Sequence, residues 1–259
     1  MDLFNASPAE FHSFLLTLFR ISVVVFLLPF FGGKSVPKTV KAALTLVLTL
    51  AVWPHLSFQD HVLPEHPLAI ILMFVGEILL GLVLSLVVNF IFAAVQTGGQ
   101  IAGFMMGFAM VNVVDPMTGT SEAVTAHFLY MTALLVFLAL DGHLVLLSGV
   151  AQSFQLIPPG GLVLSDPLAQ NIMQLSSQMF SLAVKIAAPV IASIFMVDVA
   201  LALVGRAAPQ MNVLLVGFPI KIATGFFFIS MVFTLLSLYL RDFIGGMPQM
   251  YYNLLSLAG

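Results

Sequence analysis

Five charged side chains lie inside strongly apolar runs: Arg20, Glu77, Lys185, Asp198 and Lys221. Each costs about 2.5–3.5 kcal/mol at the centre of a bilayer on insertion scales, so each needs water or a partner. Two roles follow: packing ion pairs, or the wall of a wet passage. Lys185 and Asp198 share one run, but ~20 Å of helix separates them. Each must therefore find its partner on another segment or another chain. Two of the lysines stand beside prolines, in Lys185-Ile-Ala-Ala-Pro189 and Pro219-Ile-Lys221. Proline removes a backbone donor, kinks the helix and frees a carbonyl one turn back, and a nearby lysine can donate to that carbonyl. Broken helices beside charges also form transporter sites at the midplane. Kinked packing and a secondary transporter that couples protons through Glu77 or Asp198 both fit the pattern.

Other chemistry is weaker. His55, His61 and His66, with Asp60 and Glu65, are candidate metal ligands, but their spacing is irregular and prolines interrupt the loop that carries them. A membrane metalloenzyme would depend on His61 and His66. Asp141-Gly142-His143 offers an Asp–His pair, although its glycine suits a helix end or turn. The nucleophile elbow, the phosphate-binding glycine loop and the HExxH signature are absent. Cysteine is absent as well, which excludes a disulfide framework and thiol catalysis. The expectation is a non-enzymatic chain with no cofactor and no metal.

These residues must be positioned by a very apolar scaffold. Of 259 residues, 61% are hydrophobic and 7% charged, against ~25% charged in ordinary soluble domains. Too little polar surface exists to cover a soluble particle. A net charge of −3 gives no basic footprint for nucleic acid. The N-terminal MDLFNASPAEFHSFLL has acids where a secretory signal needs bases, so it is expected to belong to the mature chain. Six apolar stretches stand out, roughly Phe14–Phe31, Val40–Trp53, Leu68–Val95, Val124–Val150, Met179–Gly205 and Val213–Leu240. All should be helical, because dry surroundings force backbone groups to pair within a segment. A bilayer crossing takes about 20 helical residues; the second stretch is too short and the third is far longer. Such lengths fit helices buried mainly against protein. Lys34, Lys38 and Lys41 in the first connection favour a cytoplasmic first loop and an external second one.

The least ordinary segment runs from Gly98 to Gly119 and has no Lys or Arg. Gly99, Gly103 and Gly107 fall on one helical face and permit close backbone approach, so one reading is a packing stripe. The segment also carries Met105, Met106, Met110 and Met117, and it ends in the turn sequence Asp115-Pro116-Met117-Thr118-Gly119. Methionine re-packs when its neighbours move, and apolar constrictions can close a pore by excluding water. The second reading is therefore a deformable gate.

The blocks GGKSVPKTVKAALTLVLTLAVWP (32–54), GGQIAGFMMGFAMVNVVDPMTG (98–119), LDGHLVLLSGVAQSFQLIPPG (140–160) and KIAAPVIASIFMVDVALALVGRAAPQMNVLLVGFPIKIATG (185–225) resemble, in the same order, the FliR family of bacterial flagellar export-gate proteins. That family has relatives in virulence type III secretion, but the flagellar branch is the better likeness. The resemblance implies an all-α, polytopic chain over 1–259. Its 1–169 part would be similar to FliP and carry a gate loop at 98–122, and its 170–259 part would be a hairpin similar to FliQ. It implies one copy assembled with several FliP and FliQ subunits into a helical pore at the flagellar basal body, in the bacterial inner membrane. FlhB would associate at the cytoplasmic entrance and FlhA nearby, with membrane lipid around the assembly and unfolded export substrates passing through it. Much of that assembly would stand out of the bilayer plane, which accounts for the ill-fitting helix lengths. The family's plug falls on Met106 to Glu122, including Phe108, Met110 and Met117, with Gly107, Asp115, Pro116 and Gly119 also inside it and Gly103 and Met105 just before it as candidate gate residues. Arg20, Glu77, Lys185, Asp198, Arg206 and Lys221 become candidate assembly charges.

Overall fold

The computed structural model describes residues 8–32, 36–56, 66–108 and 124–259. These form eight α-helices and no strand among the described residues: α1 (Pro8–Leu27), the single turn α2 (Pro29–Gly32), α3 (Lys38–Val52), α4 (Pro67–Met105), α5 (Val124–Ala139), α6 (Gly142–Leu156), α7 (Asp166–Ala207) and α8 (Val213–Ser256). A 3-10 turn, Trp53–His55, follows α3.

Local sequence accounts for most of the boundaries. Proline opens α1, α2 and α4, where its missing N–H is an orphan in any case. The Asn212 side chain accepts from the Leu215 amide at 3.3 Å, and the Ser165 hydroxyl accepts from the Leu168 amide at 3.3 Å. Both are N-caps of the usual type. Asp141 stands in the left-handed region (φ 57°) between α5 and α6, a conformation that Asp tolerates better than most residues. The apolar stretch expected over Val124–Val150 is therefore two helices. Pro189 and Pro219, expected to break their helices, lie inside uninterrupted helical runs. α4, α7 and α8 are each longer than their apolar stretches suggested, at 39, 42 and 44 residues.

The chain forms two compact units. The first comprises Met1–Phe90, Asp141–Leu175 and Ile244–Gly259, and the second Ile91–Leu140 and Ser176–Phe243. In the first, α3 lies along α1 with its polar side turned in. Lys41, Thr45 and Thr49 are buried, whereas Val40, Leu46, Val47 and Leu50 are exposed. Both buried threonines bond to the carbonyl four residues back, and Trp53 Nε1 donates to Ser13 Oγ at 3.0 Å. A helix that hides its hydroxyls and shows its aliphatics is built for surroundings as apolar as its own side chains.

The second unit has a core of Ile91, Phe92, Val95, Leu129, Phe137, Ile186, Val190, Val232 and Leu236, all buried. Small residues bring its helices together. A Cβ on Gly99 would lie 2.6 Å from Ala126 Cα, and one on Gly98 would lie 2.9 Å from the Ala183 carbonyl oxygen. Thr125 Oγ1 also donates to the Gly99 carbonyl at 2.9 Å. At these positions the glycine stripe is a packing device.

Candidate functional site

Arg20 and Glu77 meet at the centre of the first unit, both fully buried. Arg20 Nε donates to Glu77 Oε2 at 2.6 Å and Nη2 to Oε1 at 3.1 Å, the two-pronged geometry in which guanidinium and carboxylate bind most strongly. Both terminal nitrogens bond further: Nη1 donates to Ser153 Oγ and Nη2 to the Ile157 carbonyl, each at 3.1 Å. The guanidinium also lies 4.1 Å from the centroid of Phe154. Glu77 Oε1 accepts a further bond from the Gly160 amide at 2.9 Å. One ion pair thus joins α1, α4, α6 and the turn after α6. Its carboxylate, a proposed proton carrier on the transporter reading, has both oxygens engaged and neither open to water.

The second unit treats its charges differently. Lys221 pairs with Asp198 across α7 and α8; Asp198 is exposed and Lys221 is partly so. Screening makes such a pair weak. The pair borders an open cavity of about 280 Å³, lined by Leu201, Ala202, Val213, Gly217 and Phe218. Lys185 and Arg206 are exposed, and neither makes an ion pair within the described residues. Neither proline-adjacent lysine donates to a carbonyl among the described residues.

At the start of the expected gate segment, Gly103 and Met106 are buried, whereas Phe104 and Met105 are exposed. α4 ends in a Schellman motif: the Gly107 amide bonds to the Phe104 carbonyl and the Phe108 amide to that of Gly103, each at 3.1 Å. Gly107 carries the positive φ (92°) that this ending requires. Met110, Asp115, Pro116, Met117 and Gly119 lie outside the described residues, as do Lys34, Asp60, His61 and Glu65. No group of three potential metal ligands occurs among the described residues.

Sequence reading missed Ser153, Phe154 and Gly160 as partners of the buried pair, because serine, phenylalanine and a turn glycine carry no signal of that role. It also missed Gly225. An isolated glycine in an apolar helical run is a mark of close packing, and that mark was available.

Long helices with apolar outer faces and charges matched inside make this a polytopic, all-α membrane protein. Among the described residues, four helices are long and apolar enough to cross a membrane, or up to five if α5 and α6 together make one bent span. Residues 11–247 match the family described as bacterial export proteins, family 1. The flagellar biosynthetic protein FliR of Bacillus subtilis (strain 168) is 34% identical, with 96% of each chain covered. That of Escherichia coli (strain K12) is 32% identical over 92% of this chain and 89% of its own. That of Aquifex aeolicus (strain VF5) is 26% identical over 88% of each. The chain belongs to this FliR family of bacterial export proteins, a family of flagellar biosynthesis and protein export and not of enzymes.

Proposed function

We propose that the chain is a non-enzymatic core subunit of the flagellar export gate, which forms a helical pore for unfolded substrates with FliP and FliQ. Its place is the inner membrane at the flagellar basal body, next to FlhB and FlhA. The observation that carries this reading is the mismatch between interior and surface. Of the most apolar stretch of α4, 61% is buried within the chain, against 22% in α7 and in α8. Phe180, Phe195, Met196, Leu203, Leu215 and Phe227 stand exposed on those two helices, as does Lys185, which makes no ion pair among the described residues. Apolar surface with a lone cation on it suits a protein partner that brings a carboxylate, since lipid tails supply none.

The 170–259 part acts in this reading as a FliQ-like hairpin and the 1–169 part as a FliP-like unit, one covalent copy of each ending the ring. The segment Met106–Glu122 acts as a plug: it is apolar, glycine- and methionine-rich, and free of base. Such a segment excludes ions when packed and yields when a substrate chain arrives. Mass measurement of the intact complex from native membranes tests the assembly. A mass summing one copy of this chain with several FliP and FliQ subunits is expected. A stable homo-oligomer of this chain alone would instead favour a carrier, for which the cavity beside Asp198 and Lys221 is the supporting observation. Lys185→Ala should lower the yield of the assembled complex, and normal yield and composition would contradict the assembly role.

A further inference from the structure

Three consecutive residues at the end of α4 are each received by α8. Met106 is fully buried, and the space it fills exists because residue 225 is glycine. A Cβ there would collide with Met106 Cγ and lie 2.6 Å from its Sδ and 2.7 Å from its Cε. Gly107 turns the chain against Phe218, whose Cε1 would lie 2.9 Å from a Cβ at position 107. Phe108 meets Phe226 edge-on, with centroids 6.2 Å apart. Phe218 and Gly225 are seven residues apart, two helical turns, and so share a face of α8. Two separate stretches of sequence thus fit each other, side chain into notch, with no hydrogen bond or charge between them in this contact.

We propose that this face of α8 is a fixed seat for the end of α4. Gly225 and Phe218 are then positioning residues that set the point and direction at which the chain leaves α4 for the segment beginning at residue 109. The proposal rests on the gate reading and changes one part of it. Met106, a candidate stopper by residue type, becomes an anchor held inside the chain. A hydrophobic seal needs its first residue placed to within a side-chain width. The close fit of a flexible thioether against a bare backbone supplies that placement.

Size exchange between the two positions tests the seat in the full-length chain, assembled with its partner subunits in native membranes. Gly225→Met alone displaces the end of α4 and should raise ion conductance several-fold. Adding Met106→Gly to the same chain returns the volume to the notch and should bring conductance back close to that of the unaltered complex. Restoration of this kind requires direct contact and would not follow from two independent lesions. A leak in Gly225→Met that Met106→Gly does not relieve, or no leak at all, overturns the seat. If conductance is also unchanged on deletion of Met106–Glu122, the gate reading itself has failed; a leak in that deletion alone confines the failure to the seat.

The chain has no cysteine, so the pair Met106→Cys with Gly225→Cys gives a second test if the methionine variant does not assemble. Mild oxidation of membranes should join the two cysteines, and export should continue with the bond closed. Failure to form the bond in assembled complexes, or export that stops until the bond is reduced, contradicts a fixed seat.

Discussion

Both units use glycine notches, and they differ in how they treat charge. The first is organised around a guanidinium–carboxylate pair whose donors and acceptors are satisfied by α1, α4, α6 and the Gly160 turn. Such bonds are directional, and one misplaced element would leave a buried charge unpaired. The second relies on glycine notches at Gly98, Gly99 and Gly225, and its only ion pair among the described residues is open in part to solvent. Contacts of that kind work by shape, one surface fitted to another without directional bonds. The contrast divides the labour. On the proposed function, a region that must hold its form whatever binds it uses charge, and a region completed by other chains and carrying a deformable segment uses shape.

The largest test of this contrast is Glu77→Ala. It leaves Arg20 buried without its counter-ion, and breaking a buried pair in this way costs about 3–5 kcal/mol. The variant should fail to accumulate as folded protein, measured by thermal aggregation of detergent-extracted material. Normal accumulation would mean that water reaches the pair and that the first unit is not organised by it. A smaller effect is expected at the other end of α8, where Tyr251 packs into a notch at Gly149 and donates to the Leu84 carbonyl at 3.3 Å. Tyr251→Phe keeps the ring and loses one long hydrogen bond, so about 0.5–1.5 kcal/mol is the upper range. A larger loss of melting temperature than Glu77→Ala produces would reverse the ranking. The smallest effect on the chain itself belongs to Lys221→Ala. An exposed pair contributes about 0–1 kcal/mol, so thermal stability should hardly move while recovery of complexes with the partner subunits falls. Loss of the isolated chain's stability would show that the second unit depends on charge after all.

How much of this was legible beforehand varied with the type of signal. The all-α membrane class followed directly from apolar runs that are short of charge, and α4, α5 and α8 start within a residue of the expected stretches, whereas α7 starts at Asp166, well before the expected Met179. Helix lengths were underestimated because the polar first turns of α7 and the polar, glycine-containing ends of α4 and α8, beyond Val95 and Leu240, read as interruptions. A helix tolerates these when packing on both sides holds it. Arg20 and Glu77 were identifiable as charges that need partners, yet nothing in their spacing paired them, since 57 residues of chain separate them. The glycine stripe was recognisable as two possibilities. The structure resolves Gly98 and Gly99 as packing, and Met106 as buried beneath α8. A one-dimensional pattern could not separate those roles, because close approach and conformational freedom call for the same residue.

On the proposed function, the segment after α4 seals a conduit shared with other chains. Conductance of membranes holding the complete assembly measures that directly, with the Met106–Glu122 segment present or deleted. A seal predicts that the deletion admits small ions while the assembly keeps its composition. Unchanged conductance in a fully assembled complex would contradict it.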